Sequence, residues 1–374
     1  MNPFVIQKSI GHQDGPTIAI KDSIDVSGWV TQAGSRALAD NLPAIKDADV
    51  VRLLLESGWQ IVGKTVLHEF AFGVSGINDW AGTPINPQAK DLIPGGSSSG
   101  SAVAVAAGAV YASIGTDTGG SVRMPAACCG VFGFKPTFAR VSRAGAYPVH
   151  STLDCIGPFA REMAGIVDVM TAIDPSFMPA TPRAEYRVGV VEVECDGIVS
   201  EAVYDALSAT SWTCQAVKLP SLAQAFNAAM VLINHETWAA FGQYTGQGLL
   251  GRDVEARLLA ASRTTADEVT AAELVREQFC LEVDEQLKVF DALVMPSLPR
   301  LPPSVESVRA GASILDMTAF LRPFNLSGHP ALTVPVQCKG SEIKAGLQLI
   351  GPKHQDEQLC ALGAVLERVL KVRR

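Results

Sequence analysis

Between Pro94 and Pro125 the chain reads PGGSSSGSAVAVAAGAVYASIGTDTGGSVRMP, two glycine- and serine-rich loops joined by a small-residue segment and a short apolar run. Glycine is favoured where the backbone takes positive φ or approaches another group closely, and serine brings a hydroxyl to such a place at little steric cost. A flexible tether has no interior apolar periodicity. The run SAVAVAAGAV, from Ser101 to Val110, is too apolar for one. The stretch therefore demands an ordered core around it, with backbone N–H groups and hydroxyls gathered in one place.

A chain of 374 residues that is 48% apolar and 18% charged has the material for that core. Its net charge of −8 and the lack of a Lys/Arg stripe argue against nucleic acid or an anionic membrane as partner and favour a small molecule. The eight cysteines are scattered, with no Cys-x-x-Cys pair and no Cys/His cluster at zinc spacing, so reduced core thiols and no metal are expected. The N-terminal MNPFVIQKSIGHQDG lacks the pattern of a signal peptide, and the apolar run from Ala102 to Ile114 falls short of a membrane span. A cytoplasmic protein is expected.

Thr17 to Ile20 reads as a strand ending at Lys21-Asp22, DADVVRLLLESG as an amphipathic helix, and Gln60 to Gly63 as a second strand, which makes a β-α-β unit. A short helix is predicted over Val66 to Ala71, then a long ordered loop from Gly73 to Pro94. Helices over Ser99 to Gly108 and Val122 to Cys128 flank a strand at Tyr111 to Gly115. That places a helix N-terminus, with unpaired N–H groups, at each Gly/Ser loop. A strand at Val131 to Phe134 and a helix at Met163 to Ile173 follow, before a proline-rich boundary at Asp174 to Pro182. Beyond it come a strand at Tyr186 to Val193 and helices at Val199 to Ser211, Ser221 to Trp238 and Ala266 to Phe290. The last is acidic along a solvated face. Strands at Ala292 to Met295, Ala331 to Val336 and Ala345 to Ile350 precede a closing helix, Gln355 to Leu370.

The serines admit several chemistries. A phosphate loop is set aside, because neither Gly/Ser-rich stretch carries the lysine that such a loop needs. Gly96-Ser97-Ser98-Ser99-Gly100 formally satisfies the G-x-S-x-G elbow of an α/β-hydrolase with Ser98 as nucleophile, and His329 or His354 would then be the base. Pro94 and Gly95 stand where that elbow needs a strand.

At Lys21, Gly95 to Ala107 and Gly115 to Cys129 the chain resembles the amidase signature family, serine hydrolases with a Ser–cis-Ser–Lys triad. IAIKD, GGSSSGSAVAVAAG and GTDTGGSVRMPAACCG match in the family's order, and GVFGFKPTFARVS, LDCIGPFAR, DALVMPS, FNLSGHPALTVP and GLQLIG extend the resemblance over residues 15–175 and 291–368. It implies a single domain over residues 1–374, an α/β/α sandwich around a large mixed, mostly parallel twisted sheet, with a shortened, variable helical region at about 176–290. It also implies Ser121 as nucleophile, Ser97 as proton relay on a cis Gly96–Ser97 peptide, and Lys21 as general base. The N–H groups of Thr118, Gly119, Gly120 and Ser121 would form the oxyanion hole. No cofactor is implied.

The chemistry fits apart from the resemblance. A serine hydroxyl is a weak nucleophile until a base takes its proton, and no histidine lies in these loops. Lysine must then serve in its neutral form, which burial favours. Strand alternation turns Asp22 away from it. Ser121 is expected to begin a helix whose dipole favours a developing anion. Ser98 is expected to support Lys21 or Ser97, and Arg123 to pair with Asp117 across the turn. Phe72, Trp80, Tyr147, His150 and Phe324 are candidates for a pocket wall.

The function expected from the resemblance is hydrolysis of a small carboxamide, with a local likeness to indoleacetamide-type amidases. The alternatives are the glutaminase subunit of a tRNA-dependent amidotransferase and a catalytically inactive scaffold subunit. The short middle and the short stretch before Lys21 argue against the former, and retention of all three triad residue types against the latter. A homodimer is compatible with the family.

Overall fold

The computed structural model describes residues 2–372. Strands β1 (Phe4–Gly11) and β2 (Thr17–Lys21) precede helix α1 (Asp49–Glu56) and strand β3 (Gln60–Thr65). Helix α2 (Ser99–Ala106), strand β4 (Ala112–Asp117), helix α3 (Arg123–Cys129) and strand β5 (Phe132–Lys135) frame the two Gly/Ser loops. Strand β6 (Cys155–Ala160), helix α4 (Met163–Ile173), strand β7 (Arg187–Val191), helix α5 (Gly197–Ser208) and strand β8 (Thr213–Val217) follow. Helices α6 (Leu222–Phe241), α7 (Arg252–Ala261) and α8 (Ala266–Leu287) lead into strand β9 (Ala292–Pro296). Helices α9 (Val305–Arg309) and α10 (Arg322–Leu326), strands β10 (Ala331–Gln337) and β11 (Lys344–Ile350), and helix α11 (Asp356–Val372) close the chain.

The eleven strands form one sheet in the order β1-β3-β2-β4-β6-β5-β10-β11-β9-β7-β8. β2 and β3 are parallel neighbours, as the β-α-β reading requires. The sheet is mixed, but it is not mostly parallel. Among the described residues only β2 with β3, β2 with β4, β7 with β9 and β7 with β8 run parallel. The pairings of β1 with β3 and of the whole central run from β4 to β9 are antiparallel. The cause lies in short connections such as that between β10 and β11, which can only return antiparallel, since a parallel return needs a crossover of a dozen or more residues.

Residues 176–290 are also not purely helical, because β7 and β8 extend the sheet at one edge. β8 reads TCQAV and is exposed at all but its last residue, so it carries no apolar alternation to announce it.

Two-residue alternation distributes the core over both faces of the sheet. Ile18, Ile20, Ile114, Phe134, Leu332 and Val334 pack with α1, α4, α5 and α11. Ala19 and Phe159 pack with α2 and α3, whereas Leu293, Met295 and Ala331 pack with α6, α8 and α10. An α/β/α sandwich results, and with both faces covered the central strands read as nearly continuous apolar runs. Lys21, one residue past Ile20, is thereby turned to the side of α2 and α3. Among the described residues no helix is long and apolar enough to cross a membrane.

Candidate active site

Lys21 ends β2 and is wholly buried, with 0% exposure. Its ammonium nitrogen Nζ donates to Ser97 Oγ at 2.8 Å and to Thr116 Oγ1 at 2.7 Å. Among the described residues no carboxylate touches it. Asp22 instead pairs with Lys64 at 2.8 Å, as alternation along the strand requires. Burial lowers the pKa of Lys21 to about 7, although the more distant charges of Asp154 and Asp117 act the other way. A large share of this lysine is therefore neutral near neutral pH.

Ser97 follows a cis peptide bond from Gly96. The bend is set by Gly95, at φ +71°, where a Cβ would stand 2.9 Å from Cys128 Sγ and 3.0 Å from Pro125 Cα. The Ser97 carbonyl accepts from the N–H groups of His68 at 3.0 Å and Ser99 at 2.9 Å. The ring of His68 faces neither Ser97 nor Lys21 but Ser75 and Asp253, with Nδ1 3.3 Å from Ser75 Oγ and Nε2 3.2 Å from Asp253.

The two Gly/Ser loops meet directly, since the N–H of Ser98 donates to the Ser121 carbonyl at 3.2 Å. The Ser98 hydroxyl, however, supports neither Lys21 nor Ser97. It donates to the Thr116 carbonyl at 3.2 Å and accepts from the Thr116 N–H at 3.3 Å, which braces the end of β4. Buried and committed to backbone, it does not suit the elbow reading either. Gly115 makes this brace fit, because a Cβ there would lie 2.7 Å from both Ser98 Oγ and Phe159. Gly115→Ala is expected to cost about 1–3 kcal/mol of stability, as overpacking does, and a urea titration followed by circular dichroism checks it.

Ser121 retains 5% exposure, unlike the fully covered Lys21 and Ser97. The expectation that it begins a helix is corrected: α3 starts at Arg123, with Val122 as its cap. The positive end of that turn is already occupied. The Asp117 carboxylate accepts from the N–H groups of Gly120 at 2.8 Å, Val122 at 3.1 Å and Arg123 at 3.2 Å. Gly120 is therefore withdrawn from the expected oxyanion hole, leaving the N–H groups of Thr118, Gly119 and Ser121 as its candidates.

Asp117 and Arg123 form the expected pair, with Arg123 Nε and Nη2 donating to the two carboxylate oxygens at 3.0 and 2.9 Å. The rest of the guanidinium reaches the Leu321 carbonyl at 2.9 Å, Gln348 Oε1 at 2.8 Å and Asn325 Oδ1 at 2.6 Å. Asn325 also donates to Asp117. Burial pushes the Asp117 carboxyl up, but the Arg123 charge and these hydrogen bonds outweigh it and leave the pKa well below the usual carboxylate range.

Thr118 Oγ1 donates to Asp154 at 2.8 Å, and the other Asp154 oxygen accepts from Arg143 Nε at 2.8 Å. Arg143 in turn holds the Pro148 carbonyl at 2.7 Å. That chain ties the turn before Ser121 to the loop carrying Tyr147 and His150. Tyr147 is half-buried, and His150 is exposed. Phe72 is half-buried, and its carbonyl accepts from Arg257 at 3.1 Å. Phe324 is corrected to a core residue, fully buried with its ring 5.9 Å from Phe279. Trp80 is 44% exposed. A surface cavity of about 670 Å³ is lined by Gln88, Tyr111, Glu162 and Lys371 among others and shares no residue with the Lys21–Ser97–Ser121 group.

Thr116, Asp154, Asn325 and Gln348 escape the sequence reading. All four lie within runs that carry the resemblance, GTDTGG, LDCIGPFAR, FNLSG and GLQLIG, but nothing in the spacing marks a second acceptor for a lysine.

Comparison with known proteins gives a consistent picture. A family model described as Amidase matches residues 7–360. A glutamyl-tRNA(Gln) amidotransferase subunit from Natronomonas pharaonis is 33% identical, covering 98% of this chain and 99% of its own. A fatty acid amide hydrolase from Medicago truncatula is 32% identical, covering 95% of this chain and 65% of its own. The crystal structure of the corresponding amidotransferase subunit from Thermotoga maritima superposes with a TM-score of 0.84 at 29% identity, over 97% of this chain and 86% of that one. The first of these relatives weakens the argument from length, since it aligns almost end to end.

Proposed function

Because the chain belongs to the amidase family, whose relatives act on amide C–N bonds, we propose that it hydrolyses a primary carboxamide through an acyl-enzyme on Ser121. Ser121 Oγ attacks the carbonyl carbon while its proton passes to Ser97 Oγ, and the Ser97 proton passes to neutral Lys21 Nζ. The oxyanion is met by the N–H groups of Thr118, Gly119 and Ser121. Collapse of the tetrahedral species breaks the C–N bond, and the proton returns from Lys21 through Ser97 to the leaving nitrogen, which departs as ammonia. Water then repeats the cycle and frees the carboxylate.

The observation that carries this reading is the Lys21 ammonium buried at 2.8 Å from Ser97 Oγ with its pKa near 7. Burying an amine without a carboxylate contact is costly, and its hydrogen bond to Ser97 is what a base acting through that serine needs. A second reading shares the chemistry: glutamine is the amide, and its ammonia goes to an acyl group on tRNA. The near end-to-end match to an amidotransferase subunit favours it.

Ammonia release from purified protein, with and without the other components of an amidotransferase, separates the two. Steady turnover of simple amides by the chain alone supports the hydrolase, whereas turnover of glutamine only with partners supports the amidotransferase role. Under either reading a fluorophosphonate is expected to label Ser121. An adduct found by mass spectrometry on Ser98 would overturn the nucleophile assignment.

A further inference from the structure

Two arginines stand close to the turn before Ser121, and they differ in one respect. Arg123 spends its donors on Asp117, Asn325, Gln348 and the Leu321 carbonyl. Arg322, the first residue of α10, is also buried at 5% exposure, yet its Nε and Nη1 have no hydrogen-bond partner among the described residues. What faces it is aromatic: the guanidinium lies over the Phe226 ring, 4.7 Å from the centroid. Stacking satisfies the face of a guanidinium and leaves its edge of N–H donors open.

Among the described residues no carboxylate balances this charge. Burial lowers the pKa of Arg322 to about 9, and the neighbouring positive charge of Arg257 acts in the same direction. The group therefore remains a cation at neutral pH. A buried charge without a partner is unfavourable, and the natural relief is an anion delivered by a ligand.

The location says which ligand. A Cβ added to Gly119 would stand 3.1 Å from Arg322 Nε and 3.0 Å from Ile233 Cδ1, so the arginine passes directly over the turn. Gly119 and Ser121 are two residues apart, so their Cα atoms are at most about 7.6 Å apart. The open edge of Arg322 is thus within one short acyl chain of the Ser121 region, with Phe226 and Ile233 as apolar walls for its methylenes.

We propose that Arg322 is the carboxylate-binding residue of the acyl pocket, so that the preferred substrates are amides whose acyl chain ends in a carboxylate, such as the monoamide of a short dicarboxylic acid. The proposal rests on the reading of Ser121 as nucleophile. A guanidinium edge matches a carboxylate with two parallel N–H···O bonds, which fixes both the charge and the reach of the substrate.

The test compares succinamate and glutaramate with neutral butyramide in the wild-type protein and in Arg322→Gln and Arg322→Lys. The wild type is expected to favour at least one anionic amide by about 100-fold or more in kcat/KM, within the range by which a site with a polar partner rejects an analogue lacking it. Arg322→Gln is expected to reduce that ratio at least tenfold, chiefly through KM, and Arg322→Lys to restore part of it. Succinate is expected to raise the melting temperature of Ser121→Ala, and to lose that effect when Arg322→Gln is added. Equal turnover of butyramide and the anionic amides would overturn the proposal while leaving the amidase reading intact. Arg322-dependent succinate binding in a protein that hydrolyses no amide would do the reverse. Inorganic phosphate protecting as well as succinate would overturn the carboxylate assignment.

Discussion

Lys21→Ala is expected to lower kcat/KM for amide hydrolysis by about 10³-fold or more, within reach of what a positioned general base contributes together with its relay. The wild-type profile is expected to fall about tenfold per pH unit below an apparent pKa of about 7 and to level above it, because only the neutral amine accepts the Ser97 proton. Lys21→Arg is expected to be as inactive as the alanine variant, since a guanidinium does not deprotonate in this range. Activity within tenfold of wild type in either variant, or an acid limb near pH 4–5 characteristic of a carboxylate base, would remove Lys21 from the mechanism.

The same shift makes a separate statement about stability. The native pKa is depressed to about 7 while the unfolded chain keeps a value near 10.5. Between those limits the unfolded state holds more protons, so the contribution of Lys21 to stability rises with pH across that window and is fully unfavourable below it. At roughly 1.36 kcal/mol per unit, the shift corresponds to about 5 kcal/mol. Lys21→Met is therefore expected to be more stable than wild type at pH 6–7, less the loss of the hydrogen bonds to Ser97 and Thr116. Its advantage should shrink as the pH approaches 10. Urea denaturation across that range measures the difference, and a gap independent of pH would contradict the burial argument.

Much of this candidate site is readable in the residues because its glycines and serines flank an apolar run that a flexible tether would not carry. The proposed base Lys21, the loop at Ser97 and the turn at Ser121 all carry local signals: a strand end, a Gly95-Gly96 pair, a Gly119-Gly120 pair. What escapes is whatever depends on contacts distant in sequence. The role of Asp117 as acceptor for the N–H of Gly120, and so the smaller set of oxyanion-hole candidates, follows from a side chain folding back onto its own turn. Asn325 and Gln348 reach Arg123 across some two hundred residues, and no periodicity encodes such a reach. Strand direction is lost for a similar reason. Cys155–Ala160 contains Gly157 and Pro158, which read as breakers, yet both are paired in the centre of the sheet. Arg322 looks like any helix-start arginine until Gly119 and Phe226 are placed around it.

Asp117→Asn is expected to destabilise the protein by about 3–5 kcal/mol, the cost of leaving one member of a buried ion pair without its counter-charge. The loss has three sources. Arg123 would stay buried without its counter-ion, the N–H groups of Gly120, Val122 and Arg123 would face a neutral acceptor, and Asn325 would lose its charged partner. Arg123→Met should cost a similar amount, because it strands Asp117 together with Gln348, Asn325 and the Leu321 carbonyl. The double variant Asp117→Asn/Arg123→Met removes both charges, so its loss is expected to fall short of the sum of the single losses by about 1 kcal/mol or more, as coupled neighbours do. Urea titrations of the four proteins give the cycle. Since Asp117 shapes the turn that presents Ser121, the single variants should also lose fluorophosphonate labelling at temperatures where they remain folded, and strict additivity of the two losses would show that the pair is not a unit.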